Sequence, residues 1–169
     1  MVSFLIIVLS TMFMLTCCSK RRDVATALPV DLMALDPPSV PVTGFRPVER
    51  AAGIDFRWVT GPQATLTLTL DAPRRLKLAF TASNPLAGQT ITVLLQGRPV
   101  ASFEAIPGAD RLTGFTRYEA DLDLQAGVNT VALAFERYNR RTPEETFAPE
   151  DKEGLAIMIS GLEITPASL

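Results

Sequence analysis

Histidine is missing from all 169 residues. With it goes the side chain most often used as a general base near neutral pH, and the commonest metal ligand. Ser-His and Cys-His nucleophilic mechanisms are excluded in their usual forms, as are His-ligated zinc and non-haem iron sites. Carboxylate or lysine chemistry stays open. The only two cysteines, Cys17 and Cys18, stand side by side. They cannot staple distant loops to each other, so the folded part must hold by packing alone. That does not identify a reducing compartment, because many exported domains lack disulfides. A surplus of either sign of charge is also missing: a net charge of −2 argues against a polyanion binder, which gathers a basic surplus on one face.

What is present begins with an apolar run. Val2 to Cys18 is uncharged over about 17 residues, the lower limit for a helix crossing a bilayer, and Lys20, Arg21 and Arg22 follow it. The run has the apolar middle of a secretory signal but lacks the basic start. Its ending, "LTCCS" from Leu15 to Ser19, resembles a bacterial lipobox. On that resemblance Leu15 matches the leucine, Thr16 the tolerated middle position and Cys17 the small-residue site, and Cys18 is the lipidated residue, with Cys17 as the alternative. Ser19 is not an inner-membrane retention signal of the aspartate type. Two other readings stand beside this one: an uncleaved inner-membrane anchor whose basic flank keeps the domain in the cytoplasm, and a leader cleaved without lipid. Residues 1–18 are thus expected as a lipoprotein signal peptide or membrane anchor, with the domain membrane-anchored in the cell envelope at the periplasmic face.

Residues 19–49 read as a Pro-rich tether. Pro29, Pro37, Pro38, Pro41 and Pro47 remove backbone donors and bias the chain toward extended polyproline II, at about 3.1 Å per residue. The apolar Val30, Leu32, Met33 and Leu35 complicate a pure spacer, since they are able to dock on the domain or form a short turn. From residue 50 to 169 the texture changes to period-two alternation, the mark of half-buried strands. "ATLTLTL" sets Leu66, Leu68 and Leu70 against Thr65, Thr67 and Thr69. "RLKLAFTA" turns Leu76, Leu78 and Phe80 inward, "YEADLDL" does so with Tyr118, Ala120, Leu122 and Leu124, and "VNTVALAFERY" with Val131, Leu133 and Phe135. Residues 90–103 form a hairpin turning at Gln96-Gly97. "GLAIMISGLEIT" sets Leu155, Ile157 and Ile159 opposite Ala156 and Met158. With "DFRWVT" this makes about eight strands and almost no helix, an all-β antiparallel sandwich of jelly-roll type, with a closed barrel as runner-up.

The longest interruption, Asn139 to Gly154, lies between two good strands, and loops of this length are often functional. Its mixture of arginines and acids reads first as a solvated, salt-laced loop. Glu144 and Glu145 are adjacent acids, poor evidence for the fixed carboxylate pair that glycoside cleavage requires. Asp55, Asp71 and Asp110 lack the spacing of a calcium loop. No catalytic residue, metal site or cofactor is assigned. Sugar recognition asks for an aromatic platform and planar polar partners. Trp58, Tyr118 and Tyr138 are the available rings, and Arg57, Asn84, Arg137 and Asn139 the available partners. Trp58, beside Phe56, and Tyr118, beside Leu122, have ready explanations as core residues. Tyr138 and Asn139, at the mouth of the long loop, are explained least by packing. The ligand-binding candidates are therefore Tyr138, Asn139, Arg140, Arg141, Asn84 and Trp58.

From Ile54 to Thr165 the order "FRWVTGPQATLTL", "LKLAFTASNP", "QTITVLLQGRPVASF", "YEADLDLQAGVNTVALAF" resembles the small jelly-roll, carbohydrate-binding-module-like domains found beside or fused to bacterial envelope glycosyltransferases. The resemblance implies a non-catalytic β-sandwich that recognises glycans or polysaccharide intermediates. The alternative is an interaction domain that docks on an envelope glycosyltransferase or assembly complex. Either way the partners expected are a glycan or an envelope protein, and the membrane, and no nucleic acid.

Overall fold

A computed structural model describes residues 24–109 and 113–167. Cys17, Cys18, the apolar run, the basic cluster after it and Asp110 lie outside the described residues. The described chain is all β, in eleven strands: β1 Val30–Asp31, β2 Val42–Thr43, β3 Glu49–Ala51, β4 Ile54–Thr60, β5 Gln63–Leu70, β6 Arg74–Ser83, β7 Gln89–Leu95, β8 Arg98–Ile106, β9 Thr116–Leu124, β10 Gly127–Phe135 and β11 Leu155–Pro166. They form two antiparallel sheets, β3-β4-β11-β6-β9 with β1 added on β11, and β2-β5-β10-β7-β8. This is the jelly-roll sandwich that the alternation predicts.

The main core lies between the sheets and is built from the alternation read above. Leu66, Leu68, Leu76, Leu78, Leu122 and Leu133 are all at most 1% exposed. The hairpin turns where expected: Gln96 and Gly97 both have positive φ, 51° and 74°, the pair of values a two-residue hairpin turn needs. One side of the sandwich, where β8 and β9 approach, is closed by rings. Phe80 stacks on Tyr118 with centroids 5.2 Å apart, and Phe103 lies 5.0 Å from Tyr118.

Three sequence expectations change. The first concerns the tether. Val30, Leu32 and Val40 are buried in the main core. β1 pairs with the C-terminal half of β11 and β2 pairs with β5. Beyond β2 the free edge of β5 is still covered, since Thr67 N–H donates to Pro41 O (3.0 Å) and Thr26 N–H to Thr69 O (2.7 Å). The Pro-rich segment is thus the strap that closes the other side of the sandwich, and the packed unit includes residues 26–49. Proline suits this use, because an edge position does not require every N–H.

The second change concerns Arg57, expected among the polar partners of a sugar. Alternation along β4 puts it on the same face as Val59, and it is 1% exposed. Its Nε donates to Leu32 O (2.9 Å), Nη1 to Arg46 O (2.9 Å) and Nη2 to Leu35 O (2.7 Å), with Asp36 Oδ1 at 3.3 Å from Nη1. A guanidinium has donors enough to satisfy all of these carbonyls at once. Arg57 therefore pins the strap and is unavailable to a ligand.

The third change is in β11. Its register slips between Leu155 and Ile157 and again between Ile159 and Gly161. Each slip moves side chains to the other face. Ala156, Ile157, Ile159, Leu162 and Ile164 face the main core, while Leu155 and Met158 turn outward into a second cluster with Phe56 and Trp58.

Candidate functional site

Antiparallel order brings five connections to one end of the sandwich: residues 44–48, 61–62, 84–88, 107–115 and 136–154. They are laced together by backbone. Thr60 N–H donates to Gly44 O (2.8 Å), Gly61 N–H to Gly154 O (2.6 Å) and Ala109 N–H to Asn84 O (2.8 Å). Gly44 has φ +78°, and a Cβ there would lie 2.9 Å from Ala64 Cα, so the 44–48 turn lies against β5 only as glycine.

The long loop is salt-laced as expected. Glu145, whose side chain is 14% exposed, takes Arg137 at 3.5 Å and Arg140 at 3.2 Å. Arg46 holds the far limb through Asp151 (3.0 Å) and Glu153 (3.6 Å). Between these anchors the tip 146–150 carries Phe147 and Ala148, which lie on the second cluster. Phe147 stacks on Trp58 with centroids 5.6 Å apart at 22°, and Phe56 meets the same indole edge-on at 6.3 Å.

Two concave surfaces open at this end. One, of about 400 Å³, is lined by Gly44, Phe45, Arg46, Pro47, Thr60 and Glu153. The other, of about 460 Å³, is lined by Phe147, Ala148, Pro149, Glu150 and Asp151. The Arg46–Asp151 ion pair links a residue of the first lining to one of the second. Each has one half-buried ring, Phe45 in the first and Phe147 in the second, with planar charged groups beside it. Neither the guanidinium nor its carboxylates are deeply buried, so the arrangement suits hydrogen bonding to hydroxyls rather than proton transfer. Among the described residues no group of acids, cysteines or histidines is placed to hold a metal ion. Asp55 and Asp71 are spent on Arg50 (3.5 Å) and Arg74 (2.9 Å).

The six sequence candidates do not form one site. Tyr138 is explained by packing after all: a Cβ on Gly61 would lie 2.5 Å from its Cγ, and one on Gly154 3.0 Å from its Cδ2. The Arg140 guanidinium covers the ring at 4.4 Å from the centroid, and hydrogen bonding to Tyr138 raises the pKa of Arg140. Arg141 is exposed at the start of the loop, with φ 60°. Asn84 is 3% exposed, accepts from Leu86 N–H (3.1 Å) and donates to the carbonyl of Leu86, which makes it a turn-holding residue. Trp58 and Asn139 are brought together through Ala148, which packs on the indole cluster while its carbonyl accepts from Asn139 Nδ2 (2.8 Å).

Sequence reasoning missed Phe45 and Arg46, which sit in the segment read as a tether. The only signal was "GFRP" just before the first strong strand. No family model and no curated protein sequence matches the chain. Among solved structures it is similar to a family 35 carbohydrate-binding module from Clostridium thermocellum, with TM-score 0.52 and 15% identity over 83% of this chain and 100% of that one. It is also similar to a ruminal GH26 endo-β-1,4-mannanase, with TM-score 0.54 and 14% identity over 87% of this chain, which spans 28% of the mannanase. At these identities the likeness establishes the fold: a β-sandwich of the carbohydrate-binding-module type.

Proposed function

We propose that this domain recognises glycan chains without cleaving them, at the groove centred on Arg46. The observation that carries the reading is the hollow itself: Arg46, ion-paired to Asp151 and Glu153, beside the half-buried ring of Phe45, at the loop end of a sandwich. Sugar sites pair a few placed polar groups with aromatic surface. Asp151 and Glu153 are engaged with Arg46, and Glu144 and Glu145 do not face one another across a cleft, so the chemistry offered is binding. The setting we propose is the bacterial cell envelope. Cys18 carries a lipid, and the domain engages surface glycans or polysaccharide intermediates at the periplasmic face.

Titration of the full-length protein in detergent against an array of bacterial-envelope and plant-type glycans tests this. Saturable binding that falls at least tenfold in Arg46→Ala, with unchanged circular dichroism, is the expected result. Binding indifferent to Arg46→Ala moves the site elsewhere, and no binding across the array removes the reading for those glycans.

The second reading, docking on an envelope glycosyltransferase or assembly complex, is favoured by one feature. Along β5, β10 and β7 the outward positions are Gln63, Thr65, Thr67, Thr69, Val128, Thr130, Ala132, Ala134, Thr90, Thr92 and Leu94. None is charged, whereas the outer face of the other sheet carries Arg75, Lys77, Glu119, Asp121 and Asp123 in cross-strand ion pairs. This neutral stretch over β5, β10 and β7, bordered by Glu104 on β8, is a better place for a protein partner than the charged face of the other sheet.

A further inference from the structure

We infer that Trp58 is a second, covered sugar platform, and that Phe147 occupies it in the place of a pyranose ring. The inference rests on the glycan-recognition reading and extends it to a site the open groove does not include. Four observations converge on it. Phe147 lies near-parallel on the indole at 5.6 Å and 22°, the geometry a sugar ring takes on an aromatic face. The indole packs in a cluster with the apolar Phe56, Leu155, Met158 and Phe115. Asn139, 3% exposed, supplies the polar group, with Nδ2 on Ala148 O at 2.8 Å. Its Oδ1 is buried and accepts no hydrogen bond, alone in this among the buried side-chain polar atoms of the described residues. A buried acceptor without a donor costs free energy, roughly 1–3 kcal/mol, and a ligand hydroxyl would supply the donor.

The means of exchange is built into the loop. Glu145 is held by Arg137 and Arg140, and Asp151 by Arg46, so both ends of the tip are fixed. Only residues 146–150 need to roll outward to uncover the indole, and the fixed ends let them return. The ligand chemistry follows from the lining. With apolar walls and a single amide, the platform takes a neutral hexopyranose: its axial C–H face lies on Trp58, and one hydroxyl donates to Asn139 Oδ1 as a neighbour accepts from Nδ2. Because Phe147 competes with the sugar, the apparent affinity of the native protein is lowered by the fraction of open tips.

Trp58 is the only tryptophan in the chain, so its emission reports this platform alone. The experiment is calorimetric and fluorescence titration of the full-length protein in detergent with cellohexaose, mannohexaose and laminarihexaose. Wild type, Phe147→Ala and Phe147→Leu are compared, each checked by circular dichroism. The expected result is weak binding by wild type and binding about fivefold tighter by Phe147→Ala, as for the loss of one aromatic stack. Phe147→Leu lies between the two, and Trp58 emission changes at saturation in all three. Adding Trp58→Leu to Phe147→Ala abolishes the gain, read calorimetrically. Equal or weaker binding by Phe147→Ala, or binding with silent Trp58 emission, overturns the platform while leaving recognition at the Arg46 groove intact. No binding of any of the three hexasaccharides by any variant also overturns it, and the glycan array then decides the broader reading separately.

Discussion

At the scale of single residues, two side chains the sequence presents as surface candidates turn out to hold the fold. Arg57 donates to the carbonyls of Leu32, Leu35 and Arg46 from a fully buried position. Replacing it by methionine keeps the volume but strands those acceptors and leaves Asp36 without its arginine. Loss of a buried charged donor set costs about 3–5 kcal/mol. Arg57→Met is expected to lower the urea midpoint accordingly. Arg57→Lys recovers only part, because an ammonium cannot present the guanidinium's fork. A full recovery with lysine would show that charge alone, not the geometry of three carbonyls, fixes the strap. Tyr138 makes the second case. Gly61→Ala drives a methyl to 2.5 Å from its ring and should cost about 1–3 kcal/mol as overpacking. In the background Tyr138→Gly, which removes both the ring and the Cβ that would lie 2.6 Å away, that cost should vanish, and Tyr138→Ala should relieve only the part due to the ring. A double-mutant cycle by thermal melting reads the coupling directly, and additive effects would place the clash elsewhere.

At the scale of elements, legibility followed how closely a strand kept to period two. β5, β6, β9 and β10 alternate without interruption, so both their existence and their inward faces were readable from Leu/Thr and Leu/charge spacing alone. β11 was readable as a strand but not as faces, because bulges at Leu155/Ile157 and Ile159/Gly161 reset the parity, and an apolar run carries no mark of where it slips. The strap was misread for a different reason: its contacts are long-range. Prolines say that a segment is extended, not whether it lies in water or along a strand edge; the apolar Val30 and Leu32 allowed docking, and Arg57, twenty-odd residues on, fixes it. The candidate site was legible as a loop and not as residues, since Phe45 and Arg46 reach it from the strap. The outer face of β6 and β9 supports a prediction of its own. Arg117 and Lys77 hold the pKa of Glu119 below the usual carboxylate range, and hydrogen bonding by Arg74 does so for Asp71. Burial raises the pKa of Tyr118. A lowered carboxylate contributes stability above its unfolded pKa and loses it as pH falls through the folded value. A raised tyrosine contributes below about pH 10 and loses it as pH rises through the folded value. Urea midpoints should therefore be flat from about pH 6 to 9 and decline on both flanks, the alkaline decline disappearing in Tyr118→Phe. An alkaline limb unchanged by that substitution would assign it to another group. Both carboxylates are surface groups, so the acid limb should also shrink in high salt.

At the scale of the whole molecule, the sandwich is closed on both sides by different means: rings of Phe80, Phe103 and Tyr118 on one, the strap on the other. A fragment of residues 50–169 lacks β1, β2 and the buried Val30, Leu32 and Val40, and it bares the edge of β5. It should be aggregated or unfolded by circular dichroism, whereas residues 24–169 should melt cooperatively. Equal melting of the two fragments would return the segment to the role of a spacer. The same division into faces separates the two functional readings. Thr67 and Thr130 are cross-strand partners on the neutral sheet, so Thr67→Glu with Thr130→Lys places a charge-balanced pair in its centre at no cost in net charge. If the molecule meets its ligand at the loop end, this double substitution leaves glycan affinity within about twofold of wild type while Arg46→Ala weakens it at least tenfold. The two perturbations lie on different surfaces and share no partners, so their effects on binding should be independent. The reverse pattern, binding lost on charging the threonine face and kept without Arg46, would make that sheet the recognition surface and leave the groove as loop scaffolding.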